Sequence, residues 1–170
     1  MTCCVTGHRP KGFPFPRDSE DFAYCKYLDK LETEIERVIH EGCSHFISGM
    51  ADGADIDFAN TVLMLRNNGK PITFEAALPY PIVPSKPITA YTAERDMILL
   101  QCNKKQIVSP HYHKGCFMQR NRYMVDQSDW VIAIWNKSHQ GGTWNTIQYA
   151  RNAGKSIRYI YLDEFSSLML

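Results

Sequence analysis

The chain has 170 residues, of which 44% are hydrophobic and 22% charged, and its 19 basic and 18 acidic side chains leave a net charge of +1. That length suits a single domain over residues 1–170 with a full core. The near-balance of charge argues against a nucleic-acid binder that relies on a strongly basic surface, and no apolar run approaches the roughly 20 residues of a membrane helix.

Short β-branched runs alternate with longer helical patterns, the mark of a parallel sheet covered by helices. The first strand is expected at Cys3 to Thr6, ending in Gly7-His8-Arg9-Pro10, with a Pro- and Phe-rich loop through Pro14 and Pro16 behind it. A helix follows from about Asp21 to His40: Tyr24, Leu28, Leu31, Ile35, Val38 and Ile39 recur at helical spacing, and Gly42 stops it. Phe46 to Ser48 reads as a second strand and Gly53 to Asn68 as the next helix. Ile72 to Leu78 makes a third strand before a loop through Pro79, Pro81, Pro84 and Pro87. Thr92 is the expected cap of a helix over Ala93 to Gln101. Lys105 to Val108 is a weaker strand, and Asn121 to Gln127 looks helical. Trp130 to Trp135 is an unbroken apolar run of the kind found at a sheet centre. Gly141-Gly142-Thr143 opens a helix ending near Gly154, and Ile157 to Tyr161 is the last strand. The expected fold class is therefore α/β, a Rossmann-like three-layer sandwich with a mainly parallel central sheet.

The six cysteines, at 3, 4, 25, 43, 102 and 116, form no C-x-x-C pair and no zinc-ribbon spacing, and read as buried reduced thiols. His111, His113 and Cys116 form a tempting group in a polar stretch, but without a fourth ligand nearby they read as a solvated loop, and no metal is expected. Met1 to Val5 enters the strand pattern without a charged start or a long apolar stretch, so a cytoplasmic location is expected. The sequon Asn136-Lys137-Ser138 would then go unused.

In open parallel sheets, ligands settle beyond the carboxyl ends of the strands. Helix N-termini there present unpaired N–H groups and partial positive charge, and glycine lets a backbone approach a phosphate without a Cβ in the way. Three glycine turns follow strands here: Gly7-His8-Arg9; Gly49-Met50-Ala51-Asp52-Gly53-Ala54-Asp55; and Gly141-Gly142-Thr143. Gly7, His8, Arg9, Gly49, Met50, Ala51, Gly53, Gly141, Gly142 and Thr143 are thus candidate ligand-binding residues. Asp55 either stabilises its helix terminus or binds a ligand hydroxyl. Arg120 and Asn121, read as lying just before a helix, either contact a phosphate, sugar or base, or are a surface pair with local capping. Asp126 and Asp129 fall at the opposite edge and read as caps or solvated charges. Phe117, Tyr123, Trp130 and Trp135 read as core or interface aromatics. No catalytic residue is assigned.

Taken together, Thr6-Gly7-His8-Arg9-Pro10, Ser48-Gly49-Met50-Ala51-Asp52-Gly53-Ala54-Asp55, Arg120-Asn121-Arg122-Tyr123-Met124-Val125-Asp126 and Gly141-Gly142-Thr143, with Tyr149-Ala150 downstream, resemble the YpsA-like family of the SLOG superfamily. Its relatives include DprA and the LOG-type phosphoribohydrolases. The resemblance implies a Rossmann-like fold and a pocket for a nucleotide-derived ligand such as ADP-ribose. It also implies, by analogy, a homo-oligomer such as a homodimer. LOG-type enzymes carry G-G-x-G-T-x-x-E, whereas Thr146 stands at the glutamate position here, and a hydroxyl cannot replace a carboxylate beside an oxocarbenium-like transition state.

The leading expectation is binding or sensing of a phosphate-bearing ligand such as ADP-ribose, NAD or a nucleotide. The alternative is a hydrolase or transferase acting on a glycosidic or phosphoester bond, with Asp55 as carboxylate and His8 as acid or base. A single-stranded nucleic-acid module rests only on the kinship to DprA. A flavin or nicotinamide redox role fits less well, because the first turn lacks G-x-G-x-x-G.

Overall fold

The apolar runs become the strands of one six-stranded sheet in the computed structural model of the chain, which describes residues 1–82 and 87–166. In chain order the elements are β1 (Thr2–Gly7), α1 (Phe22–His40), β2 (His45–Ser48), α2 (Ala54–Asn67), β3 (Thr73–Leu78), α3 (Ala90–Gln101) and β4 (Lys104–Ile107). They continue as α4 (Cys116–Asp126), β5 (Trp130–Trp135), α5 (Gly141–Asn152), β6 (Ser156–Tyr161) and α6 (Asp163–Ser166). The strand order is β4-β3-β2-β1-β5-β6, and every neighbouring pair is parallel. The chain winds outward from β1 to β4, then crosses back to the far side of β1 for β5 and β6. The loops leaving β1 and β5 therefore diverge and open a crevice at the carboxyl edge, the usual ligand position in such sheets.

Alternation along the strands builds the three layers. Cys3, Val5, Phe46, Phe74, Ile132 and Ile134 pack with Tyr27, Leu31, Ile35, Phe58 and Val62 of α1 and α2. Cys4, Ile47, Ala77 and Val131 point the other way, against Met124 and Val125 of α4 and Ala150 of α5. Each large side chain sealed in this way contributes about 1.5–3 kcal/mol of transfer free energy. The loop after β1 joins the first core, with Phe13 and Phe15 beside Tyr27. Arg17 then fastens that loop to Asp57 at 2.6 Å, and the same carboxylate accepts the hydroxyls of Tyr24 at 2.8 Å and Tyr27 at 3.2 Å.

Several sequence expectations need correction. β5 pairs with β1 and with the edge strand β6, so it is an interior strand rather than the sheet centre; its apolar character comes from burial on both faces. Thr89, not Thr92, caps α3: its side chain accepts from the Thr92 N–H, and Thr92 returns the bond in a capping box. α4 begins at Cys116 rather than Asn121, because left-handed Gly115 starts it without a capping side chain. A 3₁₀ turn at Pro10–Gly12 and the short α6 were not anticipated. Pro84 lies outside the described residues. All six cysteines are unbonded; Cys3, Cys4, Cys43 and Cys116 are buried, while Cys25 and Cys102 are only partly so. Burial pushes the Cys4 thiol up to about 12. Asp129 accepts the Thr2 N–H at 2.8 Å and Asp126 the Tyr149 hydroxyl at 2.8 Å, at the amino edge of the sheet. Among the described residues no helix is long and apolar enough to cross a membrane.

Candidate functional site

The turns after β1 and β2 are pressed together. The Ala54 N–H donates to the His8 carbonyl at 3.1 Å, so α2 starts directly on the β1 loop. Gly53 sits at φ 102° and ψ −130°, a conformation side chains strongly disfavour, and a Cβ there would run into the His8 carbonyl and come 2.9 Å from Arg9 Cα. The place of a Cβ on Gly49 is taken by the Arg120 guanidinium, with Asp55 Oδ2 2.7 Å away. The glycines of these turns thus make room for the protein's own chain. Between them Met50 is held at φ 60°, costly for a residue with a side chain, and its carbonyl accepts the Tyr91 hydroxyl from α3 at 2.6 Å.

Arg120 is neither before a helix nor on the surface. It lies within α4, 4% exposed, where its guanidinium donates to the Gly49 carbonyl, and its Nε donates to Asn121 Oδ1 at 2.9 Å. Asp55, 7% exposed, accepts the Ala51 N–H at 3.1 Å and approaches Arg120 to 4.0 Å. Burial pulls the Arg120 pKa down and raises that of Asp55; in each case the partner's opposite charge works against the shift. The pair ties the β2 loop to α4. Asn121 donates to Thr146 Oγ1 at 3.0 Å, Thr146 to the Gly142 carbonyl at 2.8 Å, and Thr143 to the Gly7 carbonyl at 2.9 Å. The position that holds glutamate in LOG-type enzymes is therefore a buried hydroxyl engaged in fixing α5.

The third glycine turn differs. Nothing lies within 4 Å of where a Cβ would stand on Gly141 or Gly142, and the N-cap residue Gln140 makes no side-chain cap bond. The first N–H groups of this helix therefore have no side-chain cap. They border a cavity of about 450 Å³ at the β1–β5 crevice, lined by Gly7, His8, Arg9 and Lys11 after β1, by Asp55 and Asn121, and by Gly142 and Thr143. Among the described residues the Arg9 and Lys11 side chains make no hydrogen bond or ion pair; the Arg9 guanidinium lies 6.0 Å from the centroid of Phe117. Among the described residues His8 Nε2 is buried without a hydrogen-bond partner, and burial lowers the ring's pKa against a hydrogen bond with Asn136 that works to raise it.

A second cavity of about 310 Å³ adjoins the first and shares Arg9, Ala51, Phe117 and Arg120 with it. Gly49 and Met50 line this one, with Leu78, Tyr80, Tyr91 and Arg95. Of the candidates read from sequence, Gly53 and Gly141 line neither cavity. Of the two readings of Phe117, core or interface, core is corrected: it is 39% exposed and borders both cavities. Trp135 is core, stacked on Trp144 at 5.3 Å, and Tyr123 donates to buried Glu75 at 2.6 Å. Sequence reasoning missed Lys11, Tyr80, Tyr91 and Arg95. Tyr80 stands two places after β3, so the strand-end rule that selected Gly7 and Gly49 could have found it too. Among the described residues no group of three or more His, Cys, Asp or Glu is placed to hold a metal ion.

No curated protein matches the chain. The YpsA family model, described as the YspA SLOG family, matches residues 3–165, a span that runs from β1 through the first residues of α6 and includes both cavities. With nearly the whole chain covered, this protein belongs to the YspA SLOG family.

Proposed function

We propose that the protein binds a phosphate-bearing, nucleotide-derived small molecule, of the ADP-ribose, NAD or nucleotide class, with its phosphate in the β1–β5 crevice. The observation that carries this reading is the meeting of unpaired Arg9 and Lys11 with the open, uncapped start of α5 across one cavity. Cations without an ion-pair partner among the described residues, and a helix start without a side-chain cap, together suit an anion. Membership of the SLOG family supports nucleotide-related binding in general. Asp55 and Thr146 are committed to holding loops, so the geometry favours binding over bond cleavage.

Calorimetry and thermal melting with ADP-ribose, NAD and ADP test the proposal. A ligand present at about 100 times its Kd stabilises the folded state by roughly 2.7 kcal/mol, which raises Tm by several degrees. Arg9→Ala is the informative variant, because Arg120→Ala would also break the buried tie to Gly49 and Asp55. We expect it to weaken binding about tenfold, the worth of one charge-assisted hydrogen bond, and to flatten the salt dependence of affinity. No shift with any of the three ligands at millimolar concentration, or unchanged affinity in Arg9→Ala, overturns the proposal.

A further inference from the structure

The smaller cavity differs chemically from its neighbour. Its walls are the ring of Tyr80 after β3, the ring of Tyr91 on α3 and the ring of Phe117 in the first turn of α4, over a floor of Leu78 and Met50. Tyr80 stands edge-on to Phe117, with ring centroids 6.0 Å apart, and edge-on to Tyr112 at 5.5 Å. The Tyr91 hydroxyl is spent on the Met50 carbonyl, which fixes its ring as a wall. Apart from Arg9, which the two cavities share, the charges here are occupied: Arg95 chelates Asp96 through Nε and Nη2 at 3.0 and 2.8 Å, and Arg120 is held by Gly49 and Asp55. Unpaired cations line the larger cavity and aromatic faces the smaller, with Arg9 and Phe117 in contact on the border between them.

From this division we infer that the smaller cavity is the base subsite of the ligand, taking the aromatic base of a nucleoside phosphate with Phe117 as its stacking platform. The inference rests on the reading that the crevice beside Gly142 takes the phosphate. A phosphate needs N–H donors and free cations; a planar base needs apolar, polarisable faces. The chain supplies the two sets in adjoining compartments, joined at the residue pair where a ribose would cross. Stacking on a base would cover the Phe117 ring, which is 39% exposed and lies 6.0 Å from the Arg9 guanidinium.

The test compares AMP with ribose 5-phosphate, which keeps its sugar and phosphate but lacks the base, by calorimetry on the whole chain. In the wild type AMP should bind at least tenfold tighter than ribose 5-phosphate. Phe117→Ala should cut AMP affinity about tenfold and leave ribose 5-phosphate affinity unchanged. Phe117→Trp, which restores a ring face, should recover AMP binding and show indole fluorescence quenched by AMP and not by ribose 5-phosphate. If AMP and ribose 5-phosphate bind the wild type equally, or if Phe117→Ala weakens both alike, the base assignment is overturned while the phosphate reading stands. If neither compound binds the wild type, the base assignment is overturned, and the phosphate reading falls with it only when ADP-ribose, NAD and ADP fail as well.

Discussion

The glycine turns at the start of α2 and the start of α5 look alike in sequence and do opposite work. Gly49-Met50-Ala51-Asp52-Gly53 is filled by the protein itself: a guanidinium, a carboxylate and the backbone of the neighbouring loop occupy the space that side chains would take. At Gly141 and Gly142 a Cβ would meet nothing within 4 Å beyond its own helix and chain neighbours. The same contrast runs through the charges. Glu75 on β3 is 2% exposed and met by His45 at 3.0 Å, Tyr123 at 2.6 Å and Lys104 at 3.0 Å. Among the described residues Arg9 and Lys11, which line the crevice, have no such partners. A sealed region is where substitution should cost stability; an open one is where it should cost binding.

Gly53→Ala should show the largest effect on stability. The new methyl would meet the His8 carbonyl, and alanine would be forced into a backbone region it strongly disfavours. Strain and overlap each cost on the order of 1–3 kcal/mol, so a loss of about 3 kcal/mol or more is expected in urea unfolding. A loss under about 1 kcal/mol would mean that the β1 and β2 loops are loosely joined, and the contrast with α5 would fail at its sealed end.

The Glu75 network should show a smaller loss with a pH signature. Burial by itself would raise this carboxyl, but His45, Tyr123 and Lys104 outweigh it and hold the pKa at about 2, against an ordinary value of 4.5. Because the folded value is depressed, the stabilisation is complete above the unfolded value of 4.5 and is lost as pH falls from there through about 2. Glu75→Gln should cost about 2 kcal/mol at pH 7 and flatten the acid limb over that window. Arg9→Ala should change stability by less than about 0.5 kcal/mol and leave the acid limb alone. Equal acid limbs in the wild type and Glu75→Gln would show that this network does not set the acid stability.

Elements with a simple period were legible in the chain. The β1 and β5 runs, the α1 stripe from Tyr24 to Ile39 and the strand-end glycines all carry their signal locally. The sheet order does not, because it is decided by which face each crossover helix covers. α4 was half hidden: only Asn121 to Gln127 read as helical, with Arg120 placed just before it, yet Arg120 lies inside the helix and is 4% exposed because its charge is answered by groups distant in sequence, the Gly49 carbonyl and Asp55. The aromatic compartment was illegible for a related reason. Tyr80, Tyr91 and Phe117 come from three different elements, and an aromatic side chain in isolation reads equally well as core or as surface.

Gly142→Ala should show the smallest effect on stability and the cleanest on function. Gly142 is the second residue of α5, its φ is not in the left-handed region, and among the described residues the added methyl would meet nothing within 4 Å beyond its own helix and chain neighbours. Replacing glycine where its backbone is already compatible with alanine narrows the unfolded ensemble, so folding should gain about 0.5 kcal/mol rather than lose. Gly141 would be a poorer probe, because its φ of 85° would strain any replacement and blur the result. If a phosphate sits on the exposed N–H groups, the same methyl stands between it and its donors, and ADP-ribose affinity should fall although the fold is slightly firmer. A stabilised variant with weakened binding is an outcome that general damage to the protein cannot produce. Unchanged affinity would show that the open start of α5 is not the anion seat and leave Arg9 and Lys11 to hold the ligand without it.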